Sequence, residues 1–109
     1  MSEQRGDRPM TRSKERAPNH PGRLLREVVL PAMRVSVAQA AREMGVSRQQ
    51  LYKILSGERA VTAEMAARLG KYCGNGPELW LNMQSAYDLW HAQQTLADEI
   101  EEIPTRPAS

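Results

Sequence analysis

The sequence predicts an all-α fold. Apolar residues recur at steps of three and four, residues that cap helices stand in front of those runs, and no useful stretch alternates with the period of a strand. The palette agrees: there is no Phe, and Trp80, Trp90, Tyr52, Tyr72 and Tyr87 are the only large aromatics. A core of Leu, Val, Ile, Met and Ala suits packed helices better than sheets. At 109 residues the sequence has room for one domain and one core, so no second, catalytic domain is expected.

The elements follow in order. Pro21-Gly22 precedes Leu24, Leu25, Val28 and Val29, an inward stripe for helix one, and Pro31 is expected to stop it. Ser36-Val37-Ala38-Gln39 has the form of a capping box, in which hydroxyl and carboxamide satisfy backbone N–H groups that helix geometry leaves unpaired. It opens helix two, with Val37, Ala40, Ala41 and Met44 inward and Gly45 as the stop. Ser47-Arg48-Gln49-Gln50 repeats the box almost at once and opens helix three, running through Leu51, Ile54 and Leu55 to Gly57. Thr62 caps helix four, whose inner face is Met65, Ala66, Leu69 and Tyr72. Gly76-Pro77-Glu78 begins helix five, where Pro in the first turn sacrifices no hydrogen bond and Glu favours the positive end of the helix dipole. Its predicted inward stripe is Leu79, Trp80, Met83, Ala86, Tyr87 and Trp90.

Outside these elements the composition shifts. Residues 1–18, MSEQRGDRPMTRSKERAP, carry a net +2 with almost nothing apolar and are expected to form a disordered basic arm. Residues 19–91, the folded domain, carry +3, and residues 92–109 carry −3. In that acidic tail Leu96, Ile100 and Ile103 recur at steps of four and three, with Leu89 seven residues before Leu96. The pattern predicts a helical extension whose apolar stripe seeks a partner. Helix five or this extension is the expected dimer or partner interface, through Leu81, Leu89, Leu96, Ile100 and Ile103.

Two short capped helices joined by a turn on Gly45, with Ala41 where they meet, form a helix-turn-helix. On helix three, at about 100° per residue, Leu51, Ile54 and Leu55 share one arc, and Arg48, Gln49, Tyr52, Lys53 and Ser56 fill the opposite one, which carries no acid. These side chains match the edges of the DNA major groove: Arg and Lys donate to guanine, and Gln pairs bidentately with adenine. Arg48, Gln49 and Lys53 are the expected base readers, with Gln50 shared between a base and its own capping box. Ser36, Ser47, Tyr52, Ser56 and Arg59 are the candidates for phosphate contact, which fixes register without reading sequence. Each good base contact discriminates by about 1–3 kcal/mol, so a half-site alone cannot outcompete a genome. A homodimer on a palindromic operator is implied.

The stretches HPGRLLREVVLP, AAREMGVSRQQLYKILSGERAVTAEMAARLGKY and PELWLNMQSAYDLW resemble the HigA antitoxins of bacterial toxin-antitoxin modules, within the phage-repressor-like class of helix-turn-helix proteins. The resemblance spans about His20 to Trp90 and is most specific in its last stretch. It implies a compact five-helix domain with a C-terminal dimerisation helix, repression of the protein's own operon, and neutralisation of a small mRNA-cleaving toxin of the HigB type. By position, Arg48, Gln49 and Lys53 fall on the class's base-reading sites, and Ser36, Ser56 and Arg59 near its phosphate-contacting ones. The sequence departs from the pattern at Gly76, where Ser or Thr usually precedes Pro-Glu.

Other classes fare worse. His20, His91 and Cys73 are too few and too scattered for a catalytic relay, so no catalytic residue, cofactor or enzyme activity is expected. Neither His-x-x-x-His nor Cys-x-x-Cys occurs, so no metal is expected. His20 is expected to fix the entrance to helix one. The lone Cys73 and the lack of any long apolar run point to a reducing, cytoplasmic setting without a membrane, and the resemblance implies that it is bacterial. Two alternatives remain open: a free-standing repressor without a toxin, and an interaction module that keeps the shape but ignores DNA.

Overall fold

The computed structural model describes residues 16–108, and there it is helical throughout its regular elements. The basic arm expected at residues 1–18 lies outside the described residues except for its last three. Helix α1 runs through three consecutive segments, Pro21–Leu24, a π turn at Leu25–Val29, and Leu30–Met33. Then follow α2 (Val37–Met44), α3 (Arg48–Leu55), α4 (Ala63–Cys73), α5 (Pro77–Thr95) and α6 (Ala97–Glu101).

The expected caps are in place. Ser36, Ser47 and Thr62 accept from the N–H groups of Gln39, Gln50 and Met65 at 3.0, 3.0 and 3.2 Å. Only the serine half of the first box is realised as expected, because the Gln39 carboxamide donates to Glu43 Oε2 at 3.1 Å. Gly45 ends α2 in the left-handed conformation with φ 76°, which a side chain would strain. His20 fixes the start of α1 as its cap: Nδ1 accepts from Gly22 N–H at 2.9 Å, and the buried ring lies edge-on to Tyr87.

Helix one departs from expectation at Pro31, which does not stop it. The Leu30 N–H bonds to Leu25 O, five residues back, and this widened turn accommodates the proline ring and its missing donor. The helix ends instead at Arg34, left-handed at φ 59°. The same turn moves the stripe: Leu25 and Leu30 are buried, whereas Val28, expected inside, is 55% exposed.

The core gathers Leu25, Leu30, Ala40, Ala41, Met44, Leu51, Ile54, Leu55, Val61, Met65, Ala66, Leu69 and Trp80. Burying each large member removes enough apolar surface to contribute about 1.5–3 kcal/mol. Helix α5 lies mainly on α4, and here too the stripe is corrected. Trp80 and Gln84 are buried, Met83 and Tyr87 half-buried, while Leu79 and Ala86 are exposed. The seam thus runs i, i+3, i+4, i+7 from Trp80 and includes a polar residue that a hydrophobic count passes over. Trp80 satisfies its indole N–H on Asn75 Oδ1 at 2.9 Å. From His91 to Ala108 every residue is exposed, so the extension is helical through α6 without being buried on its own domain.

Candidate nucleic-acid interface

Helix α3 is held by its apolar side. Leu51, Ile54 and Leu55 are buried, which turns Arg48, Gln49 and Tyr52 to solvent, with Lys53 and Gln50 half-buried. Arg48, Gln49, Tyr52, Lys53 and Ser56 line one open groove of about 550 Å³ together with Glu58. Ser36, Ser47 and Arg59 are exposed but lie outside the lining of that groove, as does Gln50.

The serines differ in what they can offer. Ser36 and Ser47 accept through oxygen, so each hydroxyl proton remains available for a phosphate. Ser56 has its single proton shared between Lys53 O at 3.1 Å and Glu58 Oε2 at 3.2 Å. Glu58 was missed because the acid-free arc ends with the helix, while the turn at Gly57 brings the next side chain back to the same groove.

Two arginines from outside the pair fix the far ends of its helices. Arg68 of α4 donates through Nη1 to Met44 O, the last carbonyl of α2, at 2.7 Å. Arg26 of α1 donates through Nη1 to Leu55 O, the last of α3, at 3.0 Å. Helix geometry leaves such carbonyls without a partner, and a cation suits that end of the dipole. Neither arginine was singled out from the sequence, since contacts between residues 24 and 29 apart leave no local signal.

Nothing in the described residues groups three or more His, Cys, Asp or Glu side chains as a metal site, and no described helix is long and apolar enough to cross a membrane. Burial pushes the Cys73 thiol up, away from the reactive thiolate.

Residues 25–81 match the helix-turn-helix family. Virulence-associated protein I of Dichelobacter nodosus is 43% identical over 75 residues, 69% of each chain. Antitoxin HigA-1 of Vibrio cholerae is 34% identical over 83% of this chain and 85% of its own. The antitoxin HigA of Pseudomonas aeruginosa, solved with the higBA promoter, superposes with a TM-score of 0.77 at 35% identity, over 83% of this chain and 99% of that one. With the fold, the solvent-facing side of α3 and these likenesses in agreement, the chain belongs to the helix-turn-helix family, among the HigA-type antitoxins.

Proposed function

We propose that the protein is an antitoxin and transcriptional autorepressor that binds a palindromic operator as a homodimer and neutralises a cognate small mRNA-cleaving toxin of the HigB type. The observation that carries the DNA half is the groove in which α3 presents Arg48, Gln49, Tyr52 and Lys53 together, opposite its buried face. Arg48, Gln49 and Lys53 read bases, and Gln50 supports them; Ser36, Ser47, Tyr52, Ser56 and Arg59 hold phosphates. The promoter-bound HigA neighbour supports this docking, and the antitoxin relatives support the toxin partner. Leu81, Leu89, Leu96, Ile100 and Ile103, each at least 39% exposed, offer the contact with a second copy or with the toxin. The activity is binding rather than catalysis, and its setting is the bacterial cytoplasm, at the nucleoid when operator-bound.

Footprinting on the DNA upstream of the protein's own gene tests the reading, with and without the neighbouring gene product. The expected result is an inverted repeat with half-sites about 34–36 Å apart on one face of the duplex. Binding should weaken steeply as salt rises, because released counterions drive association. A blank footprint at low salt, or a single unpaired half-site, would sink it.

A further inference from the structure

Arg26 sits inside the π turn of α1, and its guanidinium is gripped on two sides. Nη1 donates to Leu55 O at 3.0 Å, Nη2 donates to Glu27 Oε2 at 2.8 Å, and the other Glu27 oxygen takes Arg23 Nε at 3.2 Å. The planar fork therefore spans the Glu27 carboxylate on α1 and the terminal carbonyl of α3. Close by, Gly22 brings the start of α1 against the Ile54 carbonyl, where a Cβ would collide with backbone. The C-terminal end of α3 is thus tied to α1 by two contacts, the Gly22 backbone against the Ile54 carbonyl and the Arg26 bond to Leu55 O.

We propose that Arg26 is a positioning residue for DNA reading: it sets the pose of α3, so that Arg48, Gln49 and Lys53 meet base edges in register. The inference rests on the proposed function in that α3 is the helix that reads. Base contacts require the geometry of a hydrogen-bonded pair, while phosphate contacts tolerate small displacements of a charged side chain. A loosened α3 should therefore lose operator preference before it loses general affinity for DNA.

The test compares the full-length wild type with Arg26→Gln and Glu27→Gln, the second leaving the Arg26 bond to Leu55 O in place while removing the carboxylate charge that holds its other side. Anisotropy titrations use the operator duplex and a scrambled duplex of equal length at several salt concentrations. Amide exchange at Ser56 and Gly57, whose N–H groups close the last turn of α3 on Tyr52 O and Ile54 O, is followed in the protein without DNA. Losing one charge-assisted bond should weaken operator binding by about tenfold in Arg26→Gln and about threefold in Glu27→Gln. The scrambled duplex should change less than about twofold, the salt slope should hold, and both amides should exchange faster. Equal losses on both duplexes with a shallower slope would mean that Arg26 touches phosphate directly, and overturn the proposal. Unchanged exchange in both variants also overturns it. Should Arg26→Gln fail to fold, Glu27→Gln decides by the same readings. A wild type without operator preference refutes the functional reading, whereas exchange in the free protein still tests the clamp.

Discussion

Gln84 Oε1 accepts the backbone N–H of Val61 at 2.8 Å, tying the segment before α4 to the middle of α5. Val61 and Gln84 are both buried, and Gln84 Nε2 donates in turn to Asp88 Oδ1 at 2.9 Å, which fixes the carboxamide orientation. Removing the acceptor leaves a peptide donor away from water. Gln84→Met, similar in length and apolar, is expected to lower stability by about 1–3 kcal/mol. Urea unfolding followed by circular dichroism checks this: the midpoint should fall while the slope stays constant. An unchanged midpoint would show that the bond contributes nothing net.

His20 gives stability a pH dependence of definite sign. Its Nδ1 accepts from Gly22, so the neutral ring carries its proton on Nε2, and protonating Nδ1 would break the cap. Burial holds the pKa below the ordinary 6.5, opposed in part by the Arg59 backbone and by Asp88. Since the unfolded chain takes up the proton first, the stabilisation is complete above about pH 6.5 and fades as pH falls through the folded value. Urea midpoints should therefore drop between pH 7.5 and 5.5. In His20→Asn, which keeps a capping oxygen without a titrating ring, the drop over that window should flatten. An equally steep drop in the variant would assign the effect to other groups.

Arg48→Ala should separate reading from folding. The side chain is exposed and takes part in none of the ion pairs among the described residues, so melting temperature should hardly move. Operator affinity should fall by the value of a base contact, about 1–3 kcal/mol, as measured by gel shift at fixed salt. Lys53→Ala distinguishes two roles: loss spread over all sequences with a shallower salt slope marks phosphate contact, and relaxed preference at one base pair marks reading. If Arg48→Ala binds its operator like the wild type, the helix-turn-helix is here an interaction module.

What the sequence made legible was local. Ser36, Ser47 and Thr62 each stand three residues before the amide they cap, and the arcs of α3 follow from its own eight residues, so periodicity alone separated Leu51, Ile54 and Leu55 from Arg48, Gln49 and Lys53. The misreadings came where partners are distant or the helix is irregular. Pro31 reads as a stop only if every turn is a regular α turn, and the π turn at Leu25–Val29 removes that premise while turning Val28 outward. Leu79 and Ala86 were placed inside because they are apolar, whereas the inner position belongs to Gln84, whose reason for burial is a backbone donor 23 residues earlier. Glu58 joined the groove lined by α3 through a turn that no helical count extends across.

The row Leu89, Leu96, Ile100 and Ile103 supports a prediction about assembly. These side chains are 59, 44, 43 and 66% exposed, large for residues that gain by leaving water, and they run from the last turns of α5, through Leu96 between the helices, to α6 and Ile103 beyond its end. In a two-fold dimer a residue on the interface acts twice, once from each copy. If the proposed self-contact buries Leu89, Leu89→Lys puts a charge into that contact from both copies and should raise the dimer dissociation constant by at least about tenfold. Sedimentation equilibrium across micromolar concentrations reads that shift. Because Leu89 is exposed within its own chain, the variant monomer should keep its helical circular dichroism, and its footprint should shrink from two half-sites to weak occupancy. A variant that remains as dimeric as the wild type while losing the toxin in a pull-down would move this row from the self-contact to the partner contact.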